Sequence, residues 1–260
     1  MRAVYGLFLL LVLSSLSGCL HDKAAEPVIE TCTADSDEEV DECNVEVEEI
    51  VVPVDSSFNG SCLIGDNHTR GTWECEKINS ISLQARELAG EWEQWNIWSN
   101  LDQDWNGTPV NTSNGSDSKW ILLEFISTDC SHCWNAGTYM DAKYEQYNDS
   151  LQFITIAVDF PSSAKFTSSP EEIAAFQDKT NHSGCMQNST NCSERPGNPH
   201  DWIYADNREM DVLKEFHGSG TPTFIIIAPN GVVAWNQAQN DDENISEALE
   251  RFFPEEVGGT

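Results

Sequence analysis

A chain of 260 residues with 13 Lys and Arg against 44 Asp and Glu carries a formal charge of −31, which excludes a general affinity for nucleic acid or anionic lipid through charge. A hydrophobic content of 39%, with 9 Trp and 11 Phe, supports one folded domain of ordinary size beside segments that stay extended. Nine cysteines point to an oxidising compartment, where disulfides persist.

Met1 to Leu13 carries a single charge, Arg2, and an apolar stretch too short to span a bilayer but long enough for the core of a signal peptide, residues 1–18. Leu16-Ser17-Gly18-Cys19 resembles the lipobox of prokaryotic lipoproteins, which implies cleavage before Cys19 and its lipidation. That removes the odd ninth thiol and leaves eight cysteines. Residues 19–80 read as a lipid-anchored tether, because Glu26 to Asp55 holds twelve acids and no Lys or Arg, a like-charge run that repels itself. Cys32 and Cys43 sit within the acidic run. Cys62 and Cys75 bracket a turn-rich stretch, and sequential pairing is the simplest of the fifteen connectivities open to six structural cysteines. Ten Asn-x-Ser/Thr triplets mark a solvent-exposed surface open to glycosylation.

The organised core is expected over residues 81–256. Ile81, Ala85, Leu88, Trp92 and Trp95 fall at helical spacing, although the Trp-rich piece to Trp98 equally suits an extended sheet edge. Trp120 to Ile126 is a near-continuous apolar run that suits a strand buried on both faces. Ala136, Met140, Tyr144 and Tyr147 then mark the inner face of a helix, and Leu151 to Phe160 supplies a second strand, so a right-handed βαβ unit is expected. Ser169-Pro170-Glu171-Glu172 opens a helix running to about Lys179. Asp206 followed by Glu209 signals the cap of another, ahead of Met210, Leu213 and Phe216. Thr223 to Ala228, Pro229-Asn230-Gly231 and Val232 to Trp235 read as strand, turn and antiparallel mate. Asp242 to Phe253 closes as an amphipathic helix stopped by Pro254.

In that order, Cys130-Ser131-His132-Cys133 stands at a strand-to-helix junction and Gly220-Thr221-Pro222-Thr223 just before the hairpin. The combination resembles the thioredoxin superfamily, most closely its exported, membrane-anchored TlpA-like branch. The resemblance implies a three-layer α/β/α fold with a mixed sheet, preceded by the acidic extended segment. It also implies a cis Pro222 facing the dithiol, a Thr221 backbone that pairs with a substrate strand, and a buried proton-transferring carboxylate at Glu124, which alternatively points to solvent from an edge strand.

A thiol at a helix N-terminus is stabilised as thiolate by unpaired N–H groups, so Cys130 is the expected nucleophile. Cys133, one turn on, is the expected resolving thiol. His132 would favour the thiolate when protonated, and Asp129 would oppose it by repulsion. The residues leave other readings open: an inert structural bridge between Cys130 and Cys133, or copper or zinc ligation with His132 or His217 in a delivery or client-binding module. Cys185 and Cys192 look like a surface staple, and Trp134 and Trp202 like packing residues. The long insertion from Pro161 to Gly218 should reshape one edge of the site. The sequence therefore predicts an exported, lipid-anchored thiol-disulfide oxidoreductase facing the extracytoplasmic side. Its expected partners are exported cysteine-containing proteins and a membrane redox partner, without a cofactor and without nucleic acid.

Overall fold

The structure, a computed structural model, describes residues 62–65, 67–105, 107, 118–160 and 167–254. The signal segment, Cys19, the acidic run with Cys32 and Cys43, and the triplets at Asn59, Asn106, Asn111 and Asn114 lie outside these residues.

Seven strands form one mixed sheet in the order β2-β1-β5-β4-β3-β6-β7: β1 (Ser82–Arg86), β2 (Glu93–Asn96), β3 (Trp120–Ile126), β4 (Leu151–Ala157), β5 (Ile203–Asp206), β6 (Thr223–Ile227) and β7 (Val233–Asn236). The β3, β4 and β5 strands run parallel and the remaining pairs antiparallel. All seven residues of β3 are buried, because helices cover both faces of a parallel unit and leave no side of the strand for water. On one face Leu122, Ile126 and Phe153 meet α1 (Ser131–Asn135), α2 (Gly137–Tyr147), α3 (Pro170–Asp178) and α6 (Ile245–Phe252) through Trp134, Met140, Phe176 and Leu249. On the other, Ile121, Leu123 and Phe125 meet Val212 and Leu213 of α5 (Asp211–Glu215) and the following Phe216. These three layers make a thioredoxin-like α/β/α fold. No helix among the described residues is long and apolar enough to cross a membrane.

Two expectations are corrected and one open choice is settled. The choice left open between a helix and an extended sheet edge falls to the antiparallel β1–β2 hairpin, with Leu83 opposite Trp95, and β1 lies along β5. Residues 62–80 are part of the domain rather than of a tether. Leu63 and Ile78 are in the core, and Cys75 N–H and Ile78 N–H donate to Val233 O and Gly231 O, both at 2.9 Å. The α5 helix is capped by Met210 in a left-handed conformation, because Asp206 is held in β5 opposite Gln84 and Ala157. The insertion also contains α3 and strand β5 of the sheet.

Ser169 caps α3 by accepting from Glu172 N–H, and Asn244 with Glu247 forms a capping box on α6. The helix after β3 breaks between α1 and α2 where the insertion docks. Pro196 O lies 2.4 Å and Arg195 Nη1 2.7 Å from where a Cβ on Gly137 would stand, and Asn198 N–H donates to Asp141 Oδ2 at 2.5 Å. Only glycine lets the two backbones approach this closely. Gly137→Ala should lower stability by about 1–3 kcal/mol through overpacking, read from the midpoint of urea denaturation. An unchanged midpoint would mean that residues 195–198 are not seated on α2.

Candidate active site

Strand β3 ends into Ser127-Thr128-Asp129, and Cys130 follows as the N-cap of α1, with extended backbone at φ −83° and ψ 119°. Its sulfur accepts from Cys133 N–H at 3.4 Å, so a thiolate here occupies the capping position that Ser or Asp takes elsewhere. From the opposite side the Thr221 carbonyl accepts from the Cys130 thiol at 3.2 Å, and the Thr221–Pro222 bond is cis. Cys130 and Cys133 are the two free cysteines among the described residues, and both are buried.

The thiols are driven apart. Hydrogen bonding from Cys133, outweighing the cost of burial and joined by the Thr221 side chain and by the Cys133 and His132 backbone N–H groups, lowers Cys130 to about 5. Burial first, then the neighbouring Cys130, pushes Cys133 well above its usual value. His132 is exposed, and its backbone N–H supports the thiolate.

Glu124 is 3% exposed, on the central strand rather than at an edge. Burial raises it to about 7 against a hydrogen bond from Thr155, whose hydroxyl donates to Oε2 at 3.0 Å. It lies on the sheet face that packs against the dithiol, in line with Leu122 and Ile126. Trp202 is a packing residue that also donates from Nε1 to Thr155 Oγ1 at 2.9 Å. Trp134 packs edge-on against Phe176.

Cys62 bonds to Cys75 and Cys185 to Cys192. The second pair is fully buried, unlike the expected surface staple, because its loop is pressed onto the strand end that carries Cys130. Met186 N–H donates to Thr128 O at 3.2 Å and Gln187 N–H to Asp129 Oδ1 at 2.5 Å. These contacts come from a single left-handed turn, α4 (Cys185–Asn188), in which Met186, Gln187 and Asn188 all have positive φ. That conformation is costly for side-chain-bearing residues, and the seven-residue disulfide bridges it. Asp129 is therefore a buried acceptor whose carboxyl is raised chiefly by burial. Asp159 and Glu172, buried nearby, are raised for the same leading reason.

The structure thus brings Cys130, Cys133, Thr221 and Pro222 together, with Glu124 in the layer beneath. His217 is elsewhere, stacked on Trp73 with ring centroids 3.8 Å apart. Among the described residues no group of three or more His, Cys, Asp or Glu side chains is placed to hold a metal ion. Sequence reasoning missed Thr155, Tyr204, His200 and Arg195, although one polar residue in the apolar run Phe153-Ile154-Thr155-Ile156 was a legible signal.

No family model matches the chain and no curated protein matches it. Among solved structures it is similar to a 2-Cys peroxiredoxin from Plasmodium vivax, at 14% identity over 67% of this chain and 77% of that one with a TM-score of 0.43. The thioredoxin domain of a thiol-disulfide oxidoreductase from Bacteroides vulgatus matches at 17% identity over 69% and 97%, TM-score 0.41. A thioredoxin-like protein from Aeropyrum pernix matches at 15% identity over 66% and 88%, TM-score 0.41.

In the reduced protein, alkylation of Cys130 by iodoacetamide should rise through a midpoint near pH 5, with Cys133 unreactive to above pH 9. A shared midpoint above about 8, the free-thiol range, would refute the asymmetry.

Proposed function

We propose that this protein is a thiol-disulfide oxidoreductase that exchanges disulfides with protein substrates through Cys130 and Cys133. The observation that carries the reading is the position of Cys130 Sγ, between the Cys133 N–H at 3.4 Å and the Thr221 carbonyl at 3.2 Å. The Cys133 N–H favours the Cys130 thiolate at the cap of α1, while Cys133 is held protonated one turn deeper.

In the reducing direction, the Cys130 thiolate attacks a substrate disulfide; a mixed disulfide forms and one substrate thiolate leaves. Glu124 in its ionised form takes the Cys133 proton, and the Cys133 thiolate attacks Cys130 Sγ. That step closes the Cys130–Cys133 bond and expels the second substrate thiolate, so two electrons pass from the dithiol to the substrate. The oxidising direction is the reverse, with Glu124 returning the proton to Cys133. Half-buried Thr221 and Pro222 flank the sulfur under attack, where an extended substrate segment would lie.

An extracytoplasmic setting is supported by the leader-like Met1 to Leu13, the lipobox-like Leu16 to Cys19 and the two disulfides flanking a free dithiol. In this reading Cys19 carries the lipid, the acidic run spaces the domain from the membrane, the clients are exported cysteine-containing proteins, and a membrane redox partner resets the site. The acidic excess, −31 over the whole chain, keeps the protein clear of polyanions.

Cys133→Ser should accumulate a mixed disulfide on Cys130 with a disulfide-bearing peptide, seen by non-reducing mass spectrometry, and Cys130→Ser should lose exchange by at least about 10²-fold, on the scale of losing an activated nucleophile. Exchange that survives Cys130→Ser would overturn the mechanism.

A further inference from the structure

Trp73 departs from the way the rest of the chain uses its aromatic side chains. It is 39% exposed and, with Ile64, one of two exposed large hydrophobic residues among those described. It belongs to neither hydrophobic cluster, so core packing does not account for it. Among the described residues its ring meets one other ring, that of His217, stacked at 3.8 Å between centroids with 13° between the planes. That covers one face of the indole and leaves the other to solvent. Arg70 lies over Trp98 and Arg86 over Trp92, whereas none of the described cations lies over Trp73.

The indole is held out by an ordered loop, closed by the Cys62–Cys75 disulfide. Thr72 is buried; its hydroxyl donates to Glu215 O and its carbonyl accepts from Asn236 Nδ2 at 2.9 Å. Trp73 N–H donates to Glu76 Oε2 at 3.0 Å, and Glu74 N–H to Gln239 Oε1 at 2.8 Å. A side chain presented this way loses little freedom when it binds. The same ties bring it toward the dithiol. Asn236 Nδ2 also donates to Phe216 O at 3.2 Å, and Asn236 stands opposite Ile225 near the start of β6. His217 lies four residues before Thr221, a stretch that spans at most about 14 Å, and the Thr221 carbonyl is 3.2 Å from Cys130 Sγ.

The surroundings of the stacked pair are anionic. Glu74 and Glu76 flank Trp73, and Glu215 lies two residues before His217. Their carboxylates accept from neutral donors: Glu74 from Asn236 N–H and Asn240 Nδ2, Glu76 from Trp73 N–H, and Glu215 from Asn79 Nδ2. Among the described residues none of the three is ion-paired, and Lys214, beside Glu215 in sequence, is paired with none of them. An open indole face among unpaired carboxylates suits a guanidinium or an ammonium group, which lies on the ring and gains from the nearby charge. The same charges repel the chain's own acidic run from Glu26 to Asp55.

We propose that Trp73 and His217, with Glu74, Glu76 and Glu215, form a client-binding subsite in which the indole takes an Arg or Lys side chain carried about four residues from the client cysteine, the reach of an extended segment. Its place in turnover rests on the exchange reading above; the capture of a cationic side chain does not.

Two synthetic peptides, each with one cysteine and differing only in Arg or Glu four positions to either side of it, are presented as mixed disulfides with 2-mercaptoethanol. Single-turnover reaction with the reduced, full-length protein gives a half-saturating concentration and a limiting rate for each. The Arg peptide should half-saturate at about a tenfold lower concentration at low salt, with the advantage shrinking as salt is added. Trp73→Ala should remove most of that advantage. Its rate with hydroxyethyl disulfide, neutral and too short to reach the indole, should be unchanged. Glu76→Gln, which keeps an acceptor for Trp73 N–H, should reduce the advantage as well.

Equal half-saturation for the two peptides overturns the proposal, and so does an Arg advantage that survives Trp73→Ala. An equal loss with hydroxyethyl disulfide assigns Trp73 a structural role and overturns it too. Binding is also read without chemistry, from the Trp73 indole N–H resonance, assigned with Trp73→Phe, as Cys→Ser versions of the peptides are added. A shift with the Arg peptide alone, in a protein that exchanges no disulfides, upholds the cation site and refutes the exchange reading instead.

Discussion

The structure is organised around one electrostatic demand, a carboxyl group on the central strand of a sheet buried on both faces. Glu124 interrupts the apolar run of β3 where water cannot reach it, and a lone charge there would be prohibitively costly. Three strands answer in register. Thr155 of β4 stands beside Glu124, Tyr204 of β5 beside Thr155, and Arg86 of β1 beside Tyr204. This polar row crosses an otherwise hydrophobic face. The group it supports is neither a permanent anion nor a permanent acid: at about 7 it changes protonation in the range where a proton acceptor is useful.

The dithiol depends on the same strand for its place. Because β3 stops at Ile126 and the chain turns through three buried residues, Cys130 arrives at the cap of α1 with its sulfur facing unpaired N–H groups. Cys133 arrives one turn later in the apolar layer. A single helical turn thus separates an environment that favours the anion from one that forbids it. The Thr221–Pro222 segment closes the other side from the start of β6, which is hydrogen-bonded to β3, so both halves of the site hang from one strand pair.

The insertion serves this arrangement twice. Its early part, stapled by Cys185–Cys192, holds the segment before Cys130 through backbone donors to Thr128 and Asp129. Its later part delivers Arg195 and His200 beneath the sheet face, seated against Gly137 and Asp141. A segment expected to reshape one edge of the site therefore also governs its interior. The exposed side chains of the left-handed turn, Gln187 and Asn188, remain beside the entrance.

The sequence by itself determined the local elements whose signals are local: β3, the capped α3, the hairpin of β6 and β7 and the closing helix. It also carries a Cys-x-x-Cys and a distant Thr-Pro, whose meeting was implied only by the resemblance to a known family. Apolar period, cap residues and turn residues act within a few positions, and no long-range contact overrides them here. Where two periods fitted the same residues, as from Ile81 to Trp95, only the exposed edge of β5 settled the choice. Burial of Cys185 and Cys192, the attachment of residues 62–80 and the exposure of His132 likewise depended on what packs against what. The polar row of Glu124, Thr155, Tyr204 and Arg86 draws on four strands of the chain. No spacing announces it, because it exists only through strand register, and register is a property of the assembled sheet.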